Sequence, residues 1–163
     1  MKKFKGFTLI ELVMSMGILS ILIGVMTTLF GQIIDTSLDS QSTSGIDQDG
    51  KFVIARLAYD MQRASEIVIP ATPSATTSAS LTIKINPIDY TYALDGSGNL
   101  QLTNDLGVNS LNSNATQVSD LSFQRLGVGN RTDTVQVKFR LTSKIKQTKG
   151  IETKSFQTTL GLQ

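Results

Sequence analysis

No cysteine, histidine or tryptophan occurs among the 163 residues, and proline is held to three. Without cysteine or histidine the chain has no thiol nucleophile, no Cys/His zinc site, no disulfide, no lipidated cysteine and no imidazole for proton transfer. Most enzyme mechanisms are thereby removed at the outset. No catalytic triad, phosphate-binding glycine loop or metal cluster appears among the remaining residues. The expectation is of no catalytic residue, no metal, no cofactor and no enzyme activity. The length suits one domain with a modest core, which must hold without a covalent staple.

Charge is scarce as well, at 17% of residues, and 15 basic residues against 13 acidic give a net charge of +2. Its placement matters more than its sum. Lys2, Lys3 and Lys5 stand directly ahead of an apolar run from Phe7 to Ile34 that Glu11 alone interrupts with a charge. The 23 residues from Leu12 to Ile34 carry no ionisable group. At about 1.5 Å per residue they make roughly 35 Å of helix, enough to cross a hydrocarbon core of about 30 Å. The three lysines hold the short flank on the cytoplasmic side and send the chain after Asp35 outward, giving a single-pass, N-in/C-out anchor in the cytoplasmic membrane. A secretory signal peptide fits less well, because no small-x-small site follows the run.

Glu11 is the anomaly, since a carboxylate in the apolar segment costs about 2.5 to 3.5 kcal/mol on insertion scales. One reading is that it snorkels to the interface and does nothing more. The other gives it a cation. If the bond between Gly6 and Phe7 were cut, the new amino terminus at Phe7 would lie one helical turn from Glu11, at the positive end of the helix dipole.

These residues resemble a known signal. Lys5-Gly6-Phe7-Thr8-Leu9-Ile10-Glu11-Leu12 is similar to the class III leader and cleavage site of type IV pilins and type II secretion pseudopilins. The resemblance implies that a membrane-embedded prepilin peptidase cuts after Gly6 and N-methylates Phe7. It also implies that Glu11 pairs with the N-terminal amine of a neighbouring subunit during assembly. Cleavage would remove Lys2, Lys3 and Lys5, three of the 15 basic residues, and leave a net charge of −1. The basicity then belongs to the leader and argues for no nucleic-acid partner.

Within the apolar run Gly17, Ser20, Gly24, Thr27 and Gly31 are spaced 3, 4, 3 and 4, on one stripe of a helix. In lipid such a stripe lets two helices approach closely, and we expect it to pack against a partner helix, as in a filament core. The alternative is a single-pass anchor with incidental glycines.

Residues 35–50 are rich in Ser, Thr, Asp and Gly and read as a weak helix or hinge. Ile46, Gly50, Val53, Ile54, Leu57, Met61, Ala64 and Val68 then mark one apolar face, with Lys51, Arg56, Asp60, Arg63 and Glu66 turned mostly away. This predicts an amphipathic helix ending before Pro70. A Ser/Thr/Pro loop follows from Pro70 to Ser80. Alternation then predicts strands at Leu81–Ile85, Ile88–Leu94, Leu100–Leu102, Val118–Leu126, Thr134–Ile145 and Thr153–Leu160, with a loop from Asn104 to Gln117. The expected fold class is α+β and pilin-like: one long N-terminal helix, its first half transmembrane and its second half packed on an antiparallel sheet. The segments are a leader at 1–6, a membrane or filament-core helix at 7–34, an amphipathic second half at 35–69 and a sheet domain at 70–163. The last third, a Val-x-x-Leu-x-Phe strand, a Val-x-Val-x-Phe strand and a Thr-rich terminal strand, is similar to minor pilins of the W type and J-like pseudopilins.

Three further patterns have plain explanations. Asp95, Ser97 and Asn99 have calcium-ligand spacing, yet Leu100 stands where the glycine of an EF-hand loop belongs and no twelfth-position glutamate follows, so a hairpin turn is expected. Asn114-Ala115-Thr116 and Asn130-Arg131-Thr132 match the N-glycosylation pattern, which recurs by chance in such loops. Arg125, Arg131, Lys138, Arg140, Lys144, Lys146, Lys149 and Lys154 face only Asp133 and Glu152, a local balance of +6. A DNA surface is one reading. A solvated, edge-protecting strand face on which Lys138, Arg140, Lys144 and Lys146 lie together is the other, and no aromatic residue is interleaved for base stacking.

The resulting expectation is a structural, minor subunit of a type IV pilus or of a type II secretion or competence pseudopilus. Its partners would be other pilin subunits, prepilin peptidase, the inner-membrane assembly platform and the membrane, and its destination a cell-surface or periplasmic filament. The alternatives are a DNA- or ligand-binding tip module of such a filament, or an uncleaved membrane-anchored domain. The absence of a C-terminal cysteine pair departs from many major pilins of the resembled family and so favours a minor subunit or a pseudopilin.

Overall fold

Helix α1, Leu9–Arg63, takes up 55 residues of a computed structural model that describes residues 6, 8–71, 77–127, 133–147 and 149–162. The chain falls into two compact units, Met1–Asp39 and Ser40–Gln163, and α1 contributes to both. From Leu9 to Ile34 the large apolar side chains of α1 are all exposed, and the helix is long and apolar enough to cross a membrane. The hydroxyls of Ser20, Thr27, Thr28 and Thr36 donate to the carbonyls four residues back, at 2.8 to 3.1 Å. These four hydroxyls are thereby satisfied inside the helix, as a hydrocarbon surrounding favours.

The second unit begins where α1 acquires a buried face. Ser42, Ile46, Asp49, Gly50, Val53, Leu57, Asp60 and Met61 are its buried residues. Residues 35–50 are helical throughout, which decides between the weak helix and the hinge that the sequence suggested. Tertiary contacts override weak propensity here: Ile46 is core, and the Asp49 carboxylate accepts bonds from Ser113 N (3.0 Å), Ser113 Oγ (2.8 Å) and Thr116 Oγ1. The helix stops at Arg63, six residues before the expected end. Glu66–Ile69 is strand β1 instead, which a run of β-branched residues ahead of Pro70 favours. Ser65 N marks the switch by donating to Lys84 O at 2.8 Å.

Strands β2 (Leu81–Ile85), β3 (Ile88–Leu94), β4 (Leu100–Asn104) and β5 (Gly107–Ser110) join β1 in a five-stranded antiparallel meander. β5 lies inside the stretch expected to be loop. Strands β6 (Thr116–Leu126), β7 (Thr134–Ser143) and β8 (Thr153–Gly161) form a second, three-stranded antiparallel sheet. Two sheets therefore stand where one was expected, because residues 111–115 turn back to Asp49 rather than pairing β5 with β6. At the other margin Ser78 and Phe123 exchange both backbone bonds at 2.8 Å, closing the free edge of β6.

One core joins helix and sheets, with Tyr92, Phe123, Phe139, Leu57, Met61, Leu81, Leu100 and Leu141 wholly buried. The Phe156 ring stacks on Phe139 at 5.3 Å and 12° and lies over Gly50, where a Cβ would stand 2.2 Å from the ring tip. In an open helix Gly→Ala gains up to about 1 kcal/mol. At Gly50 the sign should reverse, because Phe156 cannot retreat through Phe139. A loss of about 1 to 3 kcal/mol is expected for Gly50→Ala from overpacking, read as a lowered unfolding midpoint of the full chain in detergent. An unchanged midpoint would mean that the ring swings clear.

Candidate functional site

The N-terminal segment is built on a helix cap. Thr8 precedes the first residue of α1, and Leu12 N donates to Thr8 O at 3.2 Å, the first turn of the ladder. Glu11 N donates to Thr8 Oγ1 at 3.4 Å, while Thr8 N and Thr8 Oγ1 donate to Glu11 Oε2 at 3.3 and 3.2 Å. This reciprocal arrangement is a capping box, which satisfies two backbone donors that a helix start leaves open. It places Glu11 at the head of an apolar helical face formed by Met14, Ser15, Ile18 and Leu22. The Thr-x-x-Glu spacing of this capping box is present in the sequence as Thr8-Leu9-Ile10-Glu11.

Gly6 is exposed, with nothing within 4 Å of where a Cβ would be. Phe7, Lys2, Lys3 and Lys5 lie outside the described residues. Gly17, Ser20, Gly24, Thr27 and Gly31 are all exposed, and a Cβ at any of the three glycines would meet open space. Ser20 and Thr27 direct their hydroxyls to Met16 O (2.8 Å) and Ile23 O (2.9 Å), leaving the stripe uncovered by its own chain.

The acidic residues on the second half of α1 depart from the sequence reading. Asp60, expected to face away, is wholly buried. It accepts from Arg56 Nε at 2.8 Å and from the Tyr92 hydroxyl. Burial, together with the bond to Asp60, pushes the Tyr92 phenol above its ordinary value. No sequence pattern marked Asp49 or Asp60 as buried, because nothing local announces partners 32 to 67 positions away.

The basic region is largely structural. Arg125 Nη1 donates to Ile67 O, Pro70 O and Ala71 O at 3.1, 3.1 and 2.8 Å, and its Nη2 pairs with Asp133. Arg140 pairs with Asp120 at 2.8 Å and Lys154 with Asp47 at 2.7 Å, where the bond from Lys154 holds the Asp47 carboxyl below its usual range. Lys138 and Arg140 do lie on the outer face of β7, but that strand ends at Ser143. Lys144 and Lys146 therefore follow it in irregular chain rather than sharing its face. Arg131 lies outside the described residues, as does the pattern Asn130–Thr132, while Thr116 of the other glycosylation pattern is buried on Asp49.

Asp95 is a turn former. Its carboxylate accepts from Ser97 N, Asn99 N, Asn99 Nδ2 and Gln101 Nε2 at 2.7 to 3.2 Å. The Asn99 backbone and side chain, above all, hold its carboxyl below the usual range. With four donors on it, this carboxylate closes the β3–β4 hairpin, and Gly98 supplies the positive φ of 78°.

No curated protein and no solved structure matches the chain. Residues 1–27 match the family model described as the prokaryotic N-terminal methylation motif. The match spans Gly6, Phe7, the capping box at Thr8 and Glu11, and the first four members of the small-residue stripe. On this apolar N-terminal helix, followed by antiparallel sheets, the chain therefore carries the motif characteristic of type IV pilins and pseudopilins.

Proposed function

We propose that the protein is a non-enzymatic structural subunit of a type IV pilus or of a type II secretion or competence pseudopilus. Prepilin peptidase cuts it after Gly6 and methylates Phe7. Until assembly the helix over 7–34 holds it N-in/C-out in the cytoplasmic membrane. The assembly platform then moves it into a helical filament, where Glu11 meets the N-terminal amine of a neighbouring subunit and the stripe from Gly17 to Gly31 packs on another helix. A single observation carries this reading: the methylation motif, with an accessible Gly6 and a capped Glu11, heads an apolar helix whose large side chains find no cover in their own chain. The missing cysteine pair and the W-type and J-like layout of the last three strands support the finer assignment to a minor subunit or a pseudopilin.

Intact mass and N-terminal analysis of protein recovered from membranes, with and without prepilin peptidase, tests the proposal. The expected product begins at Phe7 and is heavier by one methyl group. A chain that still begins at Met1 in the presence of the peptidase would make it a plain membrane anchor.

A further inference from the structure

On the second unit Phe52, Arg56, Tyr59 and Arg63 recur every three or four residues, forming one stripe beside the buried face of α1. Phe52 and Tyr59 are 52% and 53% exposed. Both guanidinium groups are held against the tyrosine: Arg63 lies 5.1 Å from the ring centroid and donates to the phenol oxygen at 3.3 Å, and Arg56 lies 6.0 Å from the ring while anchored to Asp60. Two aromatic rings and two fixed planar cations are the residue types that interfaces concentrate, and here they are ordered before any partner arrives.

The chain also carries the complement. β4 and β5 end in a two-residue turn, Asp105–Leu106, closed by the Asn104–Gly107 pair and by Asn104 Oδ1 accepting from Leu106 N at 3.1 Å. Turn chemistry favours Asn, Asp or Gly at such positions, so it does not account for a leucine. Nor does the core, since Leu106 is 86% exposed, with Val108 beside it at 58%. A rigid hairpin thus presents an aliphatic knob next to a carboxylate, matching an aromatic shelf next to guanidinium groups. Exposure on this scale at both patches rules out their covering one another within one copy.

We propose that the Phe52–Arg56–Tyr59–Arg63 stripe of one copy receives the Asp105–Leu106 hairpin tip of a second copy of this chain, with Asp105 on Arg63 and Leu106 between the rings. The two patches differ, so the contact is heterologous and propagates as an open series. The inference rests on the filament reading above and adds that copies of this chain lie consecutively; of the finer assignments it fits a repeated pilin or pseudopilin and not a minor subunit present once.

The absence of cysteine makes the test clean. In full-length chain expressed with its assembly machinery, Ala55→Cys on the rim of the stripe and Asn109→Cys on β5 are combined and bridged by a short bismaleimide. The expected result is a ladder of dimers, trimers and higher species, with neither single-cysteine chain passing dimer. On that background Arg63→Glu or Asp105→Lys alone should weaken the ladder at least about fivefold, and the two together should restore it, as charge-pair coupling predicts. No ladder from chains that are processed and present in filaments overturns this contact and leaves the filament reading standing. An adduct with a different protein in place of the ladder overturns it by giving the stripe another occupant. Chains that are neither processed nor assembled overturn the filament reading, and this inference with it.

Discussion

Replacing Glu11 by valine is expected to leave cleavage after Gly6 and membrane insertion intact while reducing the chain recovered in filaments at least about tenfold. An unpaired carboxylate in the apolar segment costs about 2.5 to 3.5 kcal/mol, and each 1.4 kcal/mol is a factor of ten in an equilibrium. A pairing that offsets even half of that cost sets such a ratio. Glu11→Val removes both the charge and the capping-box acceptor for Thr8 N and Thr8 Oγ1. Glu11→Gln separates the two, because glutamine closes a capping box without a charge. If pairing with a neighbouring amine drives assembly, Glu11→Gln fails as badly as Glu11→Val when sheared filaments are quantified. Wild-type filament yield from Glu11→Gln would assign the role of Glu11 to the helix cap.

Arg125→Met should lower the stability of the second unit by roughly 3 to 5 kcal/mol, the range for breaking a buried ion pair from one side. Asp133, with its side chain 9% exposed, would lose its partner, and the carbonyls of Ile67, Pro70 and Ala71 would lose the group that draws them together. Against a typical total of about 5 to 15 kcal/mol this is a large fraction. Accelerated proteolysis of the mature chain is expected to accompany the lower unfolding midpoint. Arg125→Met combined with Asp133→Leu should recover part of the loss, since no buried charge then stands alone. A single variant within about 0.5 kcal/mol of wild type, the range of an ordinary surface substitution, would place the guanidinium in water.

Six of the eight strands among the described residues were legible because each alternates between a covered and a more exposed side. Along β7, Val135, Val137, Phe139 and Leu141 are buried while Lys138 and Arg140 are exposed. β1 was not legible, because four residues carry too little periodicity and Val68 happened to continue the helical apolar register. β5 was hidden by its polar composition, all four of its residues being exposed. The division into two sheets depends on Asp49 holding residues 113–116, which no local pattern reveals. Charge signals exposure poorly at Asp60 and Arg125, whose partners come from distant strands and carbonyls. At the N-terminus the opposite holds. Gly6, Thr8 and Glu11 stand in consecutive sequence, so the chemistry they share is spelled out locally.

The two buried carboxylates of α1 also set its mechanical behaviour against the sheets. Apolar packing such as that of Val53, Leu57 and Met61 tolerates sliding, because a shifted methyl group finds another methyl group. Asp49 and Asp60 tolerate none. Each meets donors in one register, Ser113 and Thr116 for the first and Tyr92 and Arg56 for the second. A displacement of one residue would strip Asp49 of its three donors and Asp60 of Tyr92, leaving it only Arg56 of its own helix. Tension along this part of the helix is therefore carried by two latches eleven residues apart, which hold rigidly up to their breaking point rather than creeping.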